Sequence, residues 1–474
     1  MGFGRRIGDT LRVPGRGLRR AVVVVVVLVL AGATGGAVAL TAPVLLAQVR
    51  PGATVAALPP MPARVLGPLP ATAPAPTAAG LTAVLDPMAD AMPGRFTGIV
   101  LDPDSGKVLW QRTAATALAP GSTGKLLTTA AALLTLNPTG TLVTRAVAGT
   151  EPGTVVLVGG GDPTLTALPD GKTGVYPDPA RLTSLAEQVK QAMGAVPITK
   201  VLIDTSRYTG PALADGWDPA DIAGGDITPI EPLMLDGGRI DPTALDGPRE
   251  EQPALVAGQA FAKMLGVDPG GITQVKTDTD AKVLGSVSSA PISDLVENLL
   301  QISDNVTAEV LARETAIARG GDPSFTGSVT QTMAALSAAG FDPTGAVMKD
   351  GSGLSTEDRV PAKLLGAILN AAAAPSQGPD DSEFLRPIVS GLPVAGGDGT
   401  LGDRFAPDTD SAAGRGVVRA KTGTLTAVSS LAGVVTDAAG RLLVFAFMSN
   451  GPSPAASRPR LDDMAAKLSG CGCG

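Results

Sequence analysis

The sequence predicts a chain of the α/β (α+β) class, in which a β-rich insertion interrupts a body of helices and antiparallel strands. A β-hairpin pattern and one apolar helix fill residues 81–136. Short strands separated by Gly, Pro and Asp follow over residues 137–285. Helical periodicity then returns, and alternating strands with a final helix complete the body over residues 286–468. A chain of 474 residues is long enough for two or more domains with separate cores.

The N-terminal residues predict export from the cytoplasm. A basic segment, residues 1–20, precedes an uncharged apolar run at residues 21–49 that is long enough to cross a bilayer. Alternatively, this run is a signal peptide with a small-residue cleavage site at Ala37–Ala39, and the body is secreted. We favour a membrane anchor because the apolar run continues past that site. Residues 50–80 are rich in Pro and Ala, which predicts an extended spacer.

The composition excludes several kinds of site. The chain contains no histidine, so it has no Ser-His-Asp triad, no Cys-His dyad and no histidine zinc site. A nucleophilic serine would therefore take its base from Lys, Glu or Asp. The net charge of −7 argues against nucleic acid as a partner. Both cysteines, Cys471 and Cys473, lie in residues 469–474, which we predict to be a flexible tail.

The first motif is Ser122–Lys125, a Ser-x-x-Lys sequence at the start of the apolar helix. Residues three apart share a helix face, so the Lys125 amine can reach the Ser122 hydroxyl. An amine acts as a base only when burial or a second cation lowers its pKa. Taken alone, the pair also fits an ordinary helix entrance. A phosphate-binding loop is excluded because Ala119 and Leu126 stand where that motif needs glycine and a hydroxyl.

The second motif is Ser303–Asn305, a Ser-x-Asn sequence between two helical runs. In isolation such a triplet is most often a cap or a turn. Between two helices, however, it is well placed to project a hydroxyl and an amide into a cleft.

The third motif, Lys-Thr-Gly, occurs twice. The copy at Lys172 lies among Gly, Pro and Asp, which predicts an exposed loop. The copy at Lys421 continues a strand pattern, where a lysine and threonines can hold an antiparallel peptide and bind its carboxylate. Gly423 removes the side chain that would block this approach. We therefore assign function to Lys421 and not to Lys172.

Each motif is weak alone, but their order is the signature of penicillin-interacting serine acyl-enzymes. The chain resembles the class C low-molecular-mass penicillin-binding proteins over about residues 81–468. The stretches that carry the resemblance include APGSTGKLLTTAAAL, GGGDPTL, ISDNVTAEVLARE, DGSGLS, LPVAGGDGTLGDR and AKTGTL. The resemblance implies a penicillin-binding/β-lactamase-like transpeptidase fold, with an antiparallel sheet flanked by helices, an all-α subdomain and an inserted domain. Residues 137–285 leave room for that insertion.

The resemblance also implies roles for the catalytic residues. Ser122 would be the nucleophile and Lys125 its general base. Ser303 would pass a proton towards the leaving amine with the help of Lys421. The charge of Lys421 would also help to keep Lys125 deprotonated.

Substrate-binding roles follow from the same resemblance. Asn305 would bind the amide backbone of the substrate, and Lys421, Thr422 and Thr424 would hold its terminal carboxylate. The backbone N–H groups of Ser122 and Thr424 would form the oxyanion hole. No metal or cofactor is implied.

The implied function is a serine-type D-Ala-D-Ala carboxypeptidase, with endopeptidase action also open, that acts on peptidoglycan stem peptides and binds β-lactams. A β-lactamase or esterase on the same fold is one alternative, but residues 306–420 contain no Glu-x-x-Leu-Asn sequence for fast deacylation. A non-catalytic peptidoglycan-binding domain is another, and the intact serines and lysine of the first two motifs count against it. Asp350 and Asp398 are either residues that line the site or parts of tight turns.

Overall fold

The computed structural model describes residues 73–375 and 383–472. The predicted segments 1–20 and 21–49, most of the spacer and Cys473 therefore lie outside the described residues. Within the described residues, no helix is both long enough and apolar enough to span a membrane. The helix that opens the described part begins inside the predicted spacer at Ala78, where the hydroxyl of Thr77 accepts the N–H of Gly80.

The strands and helices are numbered in chain order. The strands are β1 (Arg95–Asp102), β2 (Lys107–Arg112), β3 (Ala117–Leu118), β4 (Val143–Ala148), β5 (Thr154–Val158), β6 (Lys200–Asp204), β7 (Val283–Ser288), β8 (Val360–Pro361), β9 (Val418–Leu425), β10 (Val428–Thr436) and β11 (Leu442–Asn450). The helices are α1 (Ala78–Asp90), α2 (Lys125–Thr135), α3 (Leu182–Met193), α4 (Ala220–Gly224), α5 (Pro253–Leu265), α6 (Ile292–Ile302), α7 (Asn305–Ala318), α8 (Phe325–Ala338), α9 (Ala362–Ala373), α10 (Arg386–Ser390) and α11 (Pro454–Ser469).

The central sheet has five antiparallel strands in the order β2-β1-β11-β10-β9. Both of its faces are covered. Along β11, Leu443 and Phe445 pack on one face with α1 and α11, whereas Val444 and Ala446 pack on the other face with α2 and α9. Burial on both faces explains why β11 is almost continuously apolar. β9 is the last strand of the sheet. Residues 393–395 pair with its first half, so its free edge begins at Lys421, beside the groove that holds the motifs.

A layer of helices covers the motif-bearing side of the body. α2 packs against α7, α8 and α9, and α9 lies on β1 and β11. Gly366 permits this close approach, because a Cβ there would meet the side chains of Ile99 and Leu101 at 2.8 Å. This arrangement holds the N-terminal end of α2 beside the edge of the sheet, where the first motif lies.

The insertion has its own sheet and core. Its four strands have the order β6-β5-β4-β7, with β5 and β6 parallel and the other pairs antiparallel. α3 and α5 pack on this sheet and share an apolar cluster with it. The sequence predicts α3 but not α5. Gly258 lies in α5 where a Cβ would meet Ile203 at 2.6 Å. Glycine weakens a helix, but here it allows α5 to pack closely against β6.

The C-terminal residues differ from the predicted flexible tail. α11 continues to Ser469, inside the predicted tail of residues 469–474. Cys471 is 4% exposed and packs in the apolar cluster that α1 and α11 share. Cys471 therefore packs against the body, because the apolar face of α11 carries it onto the sheet, whereas Gly470 and Gly472 are exposed.

Candidate active site

Ser122 lies in a 3₁₀ turn, Gly121–Gly124, that leads into α2 and packs against β9. Two glycines let the backbones of the turn and the strand meet. A Cβ on Gly121 would lie 3.0 Å from the backbone nitrogen of Thr424, and a Cβ on Gly423 would lie 3.0 Å from that of Ser122. The two nitrogens that the sequence assigns to an oxyanion hole therefore lie on segments in direct contact.

The turn is also bound to β10, the strand next to β9. The hydroxyls of Thr123 and Ser430 donate to the carbonyl oxygen of Pro120 at 2.8 Å and 2.5 Å. The two hydroxyl oxygens lie 3.1 Å from each other. These buried bonds fasten the turn that carries Ser122 to β10. The sequence analysis does not single out Thr123 or Ser430.

Lys125 is completely buried at the start of α2. Its amine donates to the Ser122 hydroxyl at 2.9 Å, to the Asn305 side-chain oxygen at 2.5 Å and to the Ser352 carbonyl oxygen at 2.8 Å. The first bond lies within the first motif, and the second joins it to the second motif. The third comes from the loop of the DGSGLS stretch.

Burial lowers the pKa of Lys125 to about 8, although nearby carboxylates, chiefly those of Asp350 and Glu309, oppose this effect. A substantial fraction of the amine is therefore neutral near pH 8. A neutral amine has a free electron pair with which to accept a proton from the Ser122 hydroxyl.

Ser303 caps the C-terminal end of α6 in the left-handed conformation, with φ at +61°. The next residue, Asp304, caps α7 by accepting the N–H of Thr307 at 2.7 Å. The second motif is thus a cap and also part of the cleft. The Ser303 hydroxyl accepts a bond from the Lys421 amine at 2.7 Å, which joins the second motif to the third.

Lys421 is completely buried on β9. Its pKa lies well below the ordinary value, first because of burial and second because of the positive charge of Lys125. The sequence analysis expected the charge of Lys421 to lower the pKa of Lys125, and the structure shows a different cause. Burial is the main cause of the lowered Lys125 pKa, and it is Lys125 that lowers the pKa of Lys421. Two charged ammonium groups are disfavoured in this cleft.

Two threonines of β9 follow Lys421, and Thr422 is buried. The Thr422 hydroxyl donates to that of Thr400 at 2.9 Å, and Thr424 is half-buried. Thr400 lies in the LPVAGGDGTLGDR stretch, which the sequence analysis quotes without giving this residue a role.

The model of the D-Ala-D-Ala carboxypeptidase 3 (S13) family matches residues 79–253 and 247–470. The chain belongs to this family. The carboxypeptidase Rv3627c of Mycobacterium tuberculosis is 46% identical over 400 residues, which cover 84% of this chain and 85% of that protein. Carboxypeptidase DacB of Mycolicibacterium smegmatis is 45% identical over 402 residues, with coverage of 84% and 85%.

The crystal structure of penicillin-binding protein 4 (dacB) from Haemophilus influenzae has the same fold. Its TM-score is 0.65 at 20% identity, and the match covers 81% of this chain and 99% of that structure. The predicted family and transpeptidase fold class are therefore confirmed. The sequence analysis predicted this family from a few short motifs in the right order. The family model matches nearly all of the residues that the structure describes.

The S13 motifs meet in one cleft. The lysine to which the sequence analysis assigns no function, and the two aspartates that it leaves open, make no hydrogen bond to them. Lys172 is exposed and has no part in the hydrogen bonds of the three motifs. Asp398 accepts the N–H of Val394 at 2.8 Å and belongs to a turn. Asp350 also forms a turn, accepting the N–H groups of Gly353 and Ser355 at 2.7 Å and 2.6 Å.

Other residues support the S13 cleft without any signal in the sequence. Glu309 on α7 accepts the N–H groups of Gly351 and Ser352 at 2.8 Å and 2.7 Å. These bonds orient the loop whose Ser352 carbonyl oxygen accepts from Lys125. The Trp217 indole, from the insertion, donates to Asp350 at 2.7 Å. These contacts join segments far apart in the chain, so residue spacing does not reveal them. Within the two described ranges, no cluster of His, Cys, Asp and Glu could hold a metal ion.

Proposed function

We propose that the chain is a serine D-Ala-D-Ala carboxypeptidase that forms an acyl-enzyme on Ser122. The observation that carries the proposal is the buried amine of Lys125, 2.9 Å from the Ser122 hydroxyl, with its pKa lowered to about 8. A serine beside a neutral amine is an activated nucleophile. The pair Ser303–Lys421, at 2.7 Å, lies in the same cleft and supplies a second route for a proton.

The reactive form has Lys125 neutral and the one shared proton on Lys421. In the acylation step, Lys125 takes the hydroxyl proton of Ser122 while the oxygen attacks the carbonyl carbon of the penultimate D-Ala. The backbone N–H groups of Ser122 and Thr424 stabilise the oxyanion, each contributing about 3 kcal/mol in comparable enzymes. The C–N bond then breaks, and Ser303 passes a proton from Lys421 to the leaving nitrogen. D-Alanine departs, and Lys125 keeps the proton that it took from Ser122.

Hydrolysis reverses these proton transfers. Water attacks the ester, and its proton passes through Ser303 to Lys421. Lys125 returns its proton to the Ser122 oxygen as the ester bond breaks. One proton is therefore shared between two lysines throughout the cycle, which agrees with the mutual repulsion of two buried ammonium groups.

Substrate binding is supported by the edge of β9 from Lys421 onwards, since residues 393–395 already pair with the first half of the strand. A peptide laid antiparallel to this edge would place its terminal carboxylate near Lys421, Thr422 and Thr424. Asn305 already accepts from Lys125 and donates to the Asp226 carbonyl at 2.8 Å. A carboxamide has two donors and two acceptor sites, so one of each remains for the amide backbone of the substrate.

The natural partners would be peptidoglycan stem peptides, with β-lactams as inhibitors that acylate the same serine. This substrate requires action outside the cytoplasm. The run at residues 21–49 would provide that location, as an anchor or as a cleaved signal. A β-lactamase on the same fold is the alternative, and it differs in releasing the acyl group rapidly.

Mass spectrometry of the intact protein tests the proposal. Incubation with a β-lactam is expected to add one mole of drug to the wild type and none to Ser122→Ala. Incubation with a pentapeptide ending in D-Ala-D-Ala is expected to release D-alanine. Rapid loss of the drug adduct would favour the β-lactamase, and absence of both adduct and D-alanine release would refute the proposal.

A further inference from the structure

Residues 347–359 form a closed loop that carries the DGSGLS stretch. The two ends of the loop pair as antiparallel backbone, with both N–H to carbonyl bonds at 2.7 Å. Between them, the loop supplies the Ser352 carbonyl oxygen that accepts from Lys125. At the base of the loop lies Asp358, which is completely buried and has no part in the proposed chemistry.

The carboxyl group of Asp358 has an N–H donor on only one of its oxygens. Oδ1 accepts the backbone N–H of Lys349 at 2.7 Å. Oδ2 is buried and meets no N–H or O–H donor within residues 73–375 and 383–472. The neighbouring side chain is Asp350, whose carboxylate is hydrogen-bonded to Asp358. Two carboxyl groups can share a hydrogen bond only if one of them holds a proton.

The proton lies on Asp358 and not on Asp350. The carboxylate of Asp350 accepts three N–H groups, and so many donors stabilise its ionised form. These groups belong to Gly353, Ser355 and the indole of Trp217. Asp358 has a single N–H donor, and burial together with the negative charge of Asp350 raises its pKa to about 10.

The charged groups around Asp358 act in the same direction. Glu309, which faces it from α7, adds to the negative charge. The guanidinium of Arg359 donates to backbone carbonyl oxygens, and the amine of Lys349 pairs with Glu357 at 3.5 Å. Among the described residues, therefore, no cation is bonded to the Asp358 carboxyl group, and nothing there compensates a negative charge on it.

The general base Lys125 depends on this group in two ways. Asp350 and Glu309 hold the loop whose Ser352 carbonyl oxygen binds the amine, and their charges oppose the lowering of the Lys125 pKa. A third buried negative charge would oppose it further and would favour the protonated, inactive amine. A neutral Asp358 supplies a hydrogen bond to the loop without adding that charge.

We propose that Asp358 is a positioning residue for Lys125, which remains a carboxylic acid and donates a hydrogen bond to Asp350. It thereby fixes the loop beneath the general base and limits the negative charge that the base experiences. The inference rests on the proposed function, in which Lys125 is the base, and extends it to a residue that touches neither substrate nor Ser122.

The protonation of Asp358 is tested without an activity assay. The infrared spectrum of the wild type near neutral pH is expected to contain a band of a protonated carboxyl group that Asp358→Asn lacks. In the unfolded chain Asp358 ionises above about pH 4, so folding of the wild type must take up a proton. Asp358→Asn needs no proton, and urea unfolding should show it gaining stability relative to the wild type from about pH 5 to about pH 8.

The positioning role is tested by D-alanine release from the pentapeptide. Asparagine is neutral and can donate to Asp350, so Asp358→Asn should keep kcat within about twofold of the wild type. It should also keep the midpoint of the rising limb of the pH–rate profile near pH 8. Asp358→Ala removes the donor and should lower kcat about tenfold with KM almost unchanged, because the substrate does not touch the loop.

The matched control is Glu357→Gln, which neutralises an exposed carboxylate one residue away. It should change neither the infrared band nor kcat by more than about twofold. Identical infrared spectra of the wild type and Asp358→Asn, or a rising limb that moves to lower pH in Asp358→Asn, would overturn the inference. A wild type that releases no D-alanine would instead count against the proposed function, and the infrared and unfolding results would still decide the state of Asp358.

Discussion

The guanidinium of Arg239 and the carboxylate of Asp304 form an ion pair at 2.9 Å that is almost fully buried, with side-chain exposures of 3% and 0%. Arg239 belongs to the insertion, and Asp304 is the middle residue of the second motif. Burial would raise the pKa of Asp304, but the charges of Arg239 and Arg249 more than offset this and hold it well below its ordinary value. The insertion therefore fixes the backbone between Ser303 and Asn305.

Replacement of Arg239 by Met is expected to destabilise the protein by about 3 kcal/mol, because it leaves a buried carboxylate without its partner. D-Alanine release should also fall, since Ser303 and Asn305 flank that carboxylate. Urea unfolding and a D-alanine assay measure the two effects. The added substitution Asp304→Asn should recover part of the stability, since asparagine also caps a helix.

Lys363→Met is the control for this prediction. It breaks an exposed ion pair, Lys363 with Asp342 at 2.8 Å, and should cost less than about 1 kcal/mol. If both variants lost the same free energy of unfolding, burial would not be what makes the Arg239–Asp304 pair strong.

The rate of acylation of the wild type by a β-lactam is expected to rise with pH towards about pH 8, as Lys125 loses its proton, and to fall at higher pH. The fall is expected because Lys421, whose pKa is also lowered, must hold the proton that Ser303 passes on. The pKa of Lys125 is lowered to about 8, so the amine is protonated below that pH and neutral above it. Stopped-flow measurement between pH 6 and pH 10 gives the profile. A rate that does not change with pH would contradict the assignment of Lys125 as the base.

The free energy of unfolding is expected to rise with pH through the same group. A lysine whose pKa is lower in the folded state binds more protons when the chain is unfolded. The stability should therefore increase between about pH 8 and the ordinary lysine pKa of about 10.4. Lys125→Met should reduce this rise without abolishing it, because the lowered pKa of Lys421 acts in the same direction. Urea titrations at several pH values would detect the difference.

Lys421→Ala is expected to abolish most D-alanine release, by about 100-fold or more, because it removes a carboxylate ligand and the proton donor to Ser303. Lys172→Ala should retain most of this activity on the pentapeptide. Steady-state kinetics of both variants make the comparison. The reverse order of damage would show that the wrong Lys-Thr-Gly copy has been assigned.

Gly423→Ala is expected to lower kcat by about 100-fold. Its Cβ would meet the Ser430 hydroxyl at 2.2 Å and the Pro120 carbonyl oxygen at 2.4 Å, which would push the Ser122 turn away from β9. The control is Gly271→Ala, where a Cβ meets nothing within 4 Å. Kinetics with thermal unfolding of both variants would separate a damaged oxyanion hole from a general loss of stability.

Much of the fold could be predicted from local pattern. The hairpin of β1 and β2, the apolar helix α2 and the late antiparallel strands all follow from hydrophobic periodicity and turn residues. Helix α5 could not be predicted in the same way, because its Gly258 weakens the local signal and serves a contact with Ile203. The packing of Cys471 likewise depends on α1, at the other end of the body.

The sequence by itself determined the kind of chemistry. A chain without histidine must activate a serine with another base, and the order of the three motifs named Ser122, Lys125, Ser303 and Lys421. Residue type and spacing carry this information, since they fix which groups exist and which share a helix turn.

Only the tertiary structure decided how those groups behave. The Ser352 carbonyl holds the amine of Lys125, and Arg239 holds the carboxylate of Asp304. The pKa of a buried group depends on the charges and dipoles around it, and here these come from segments more than sixty residues away. These groups come close to the lysine and the aspartate only after the chain has folded.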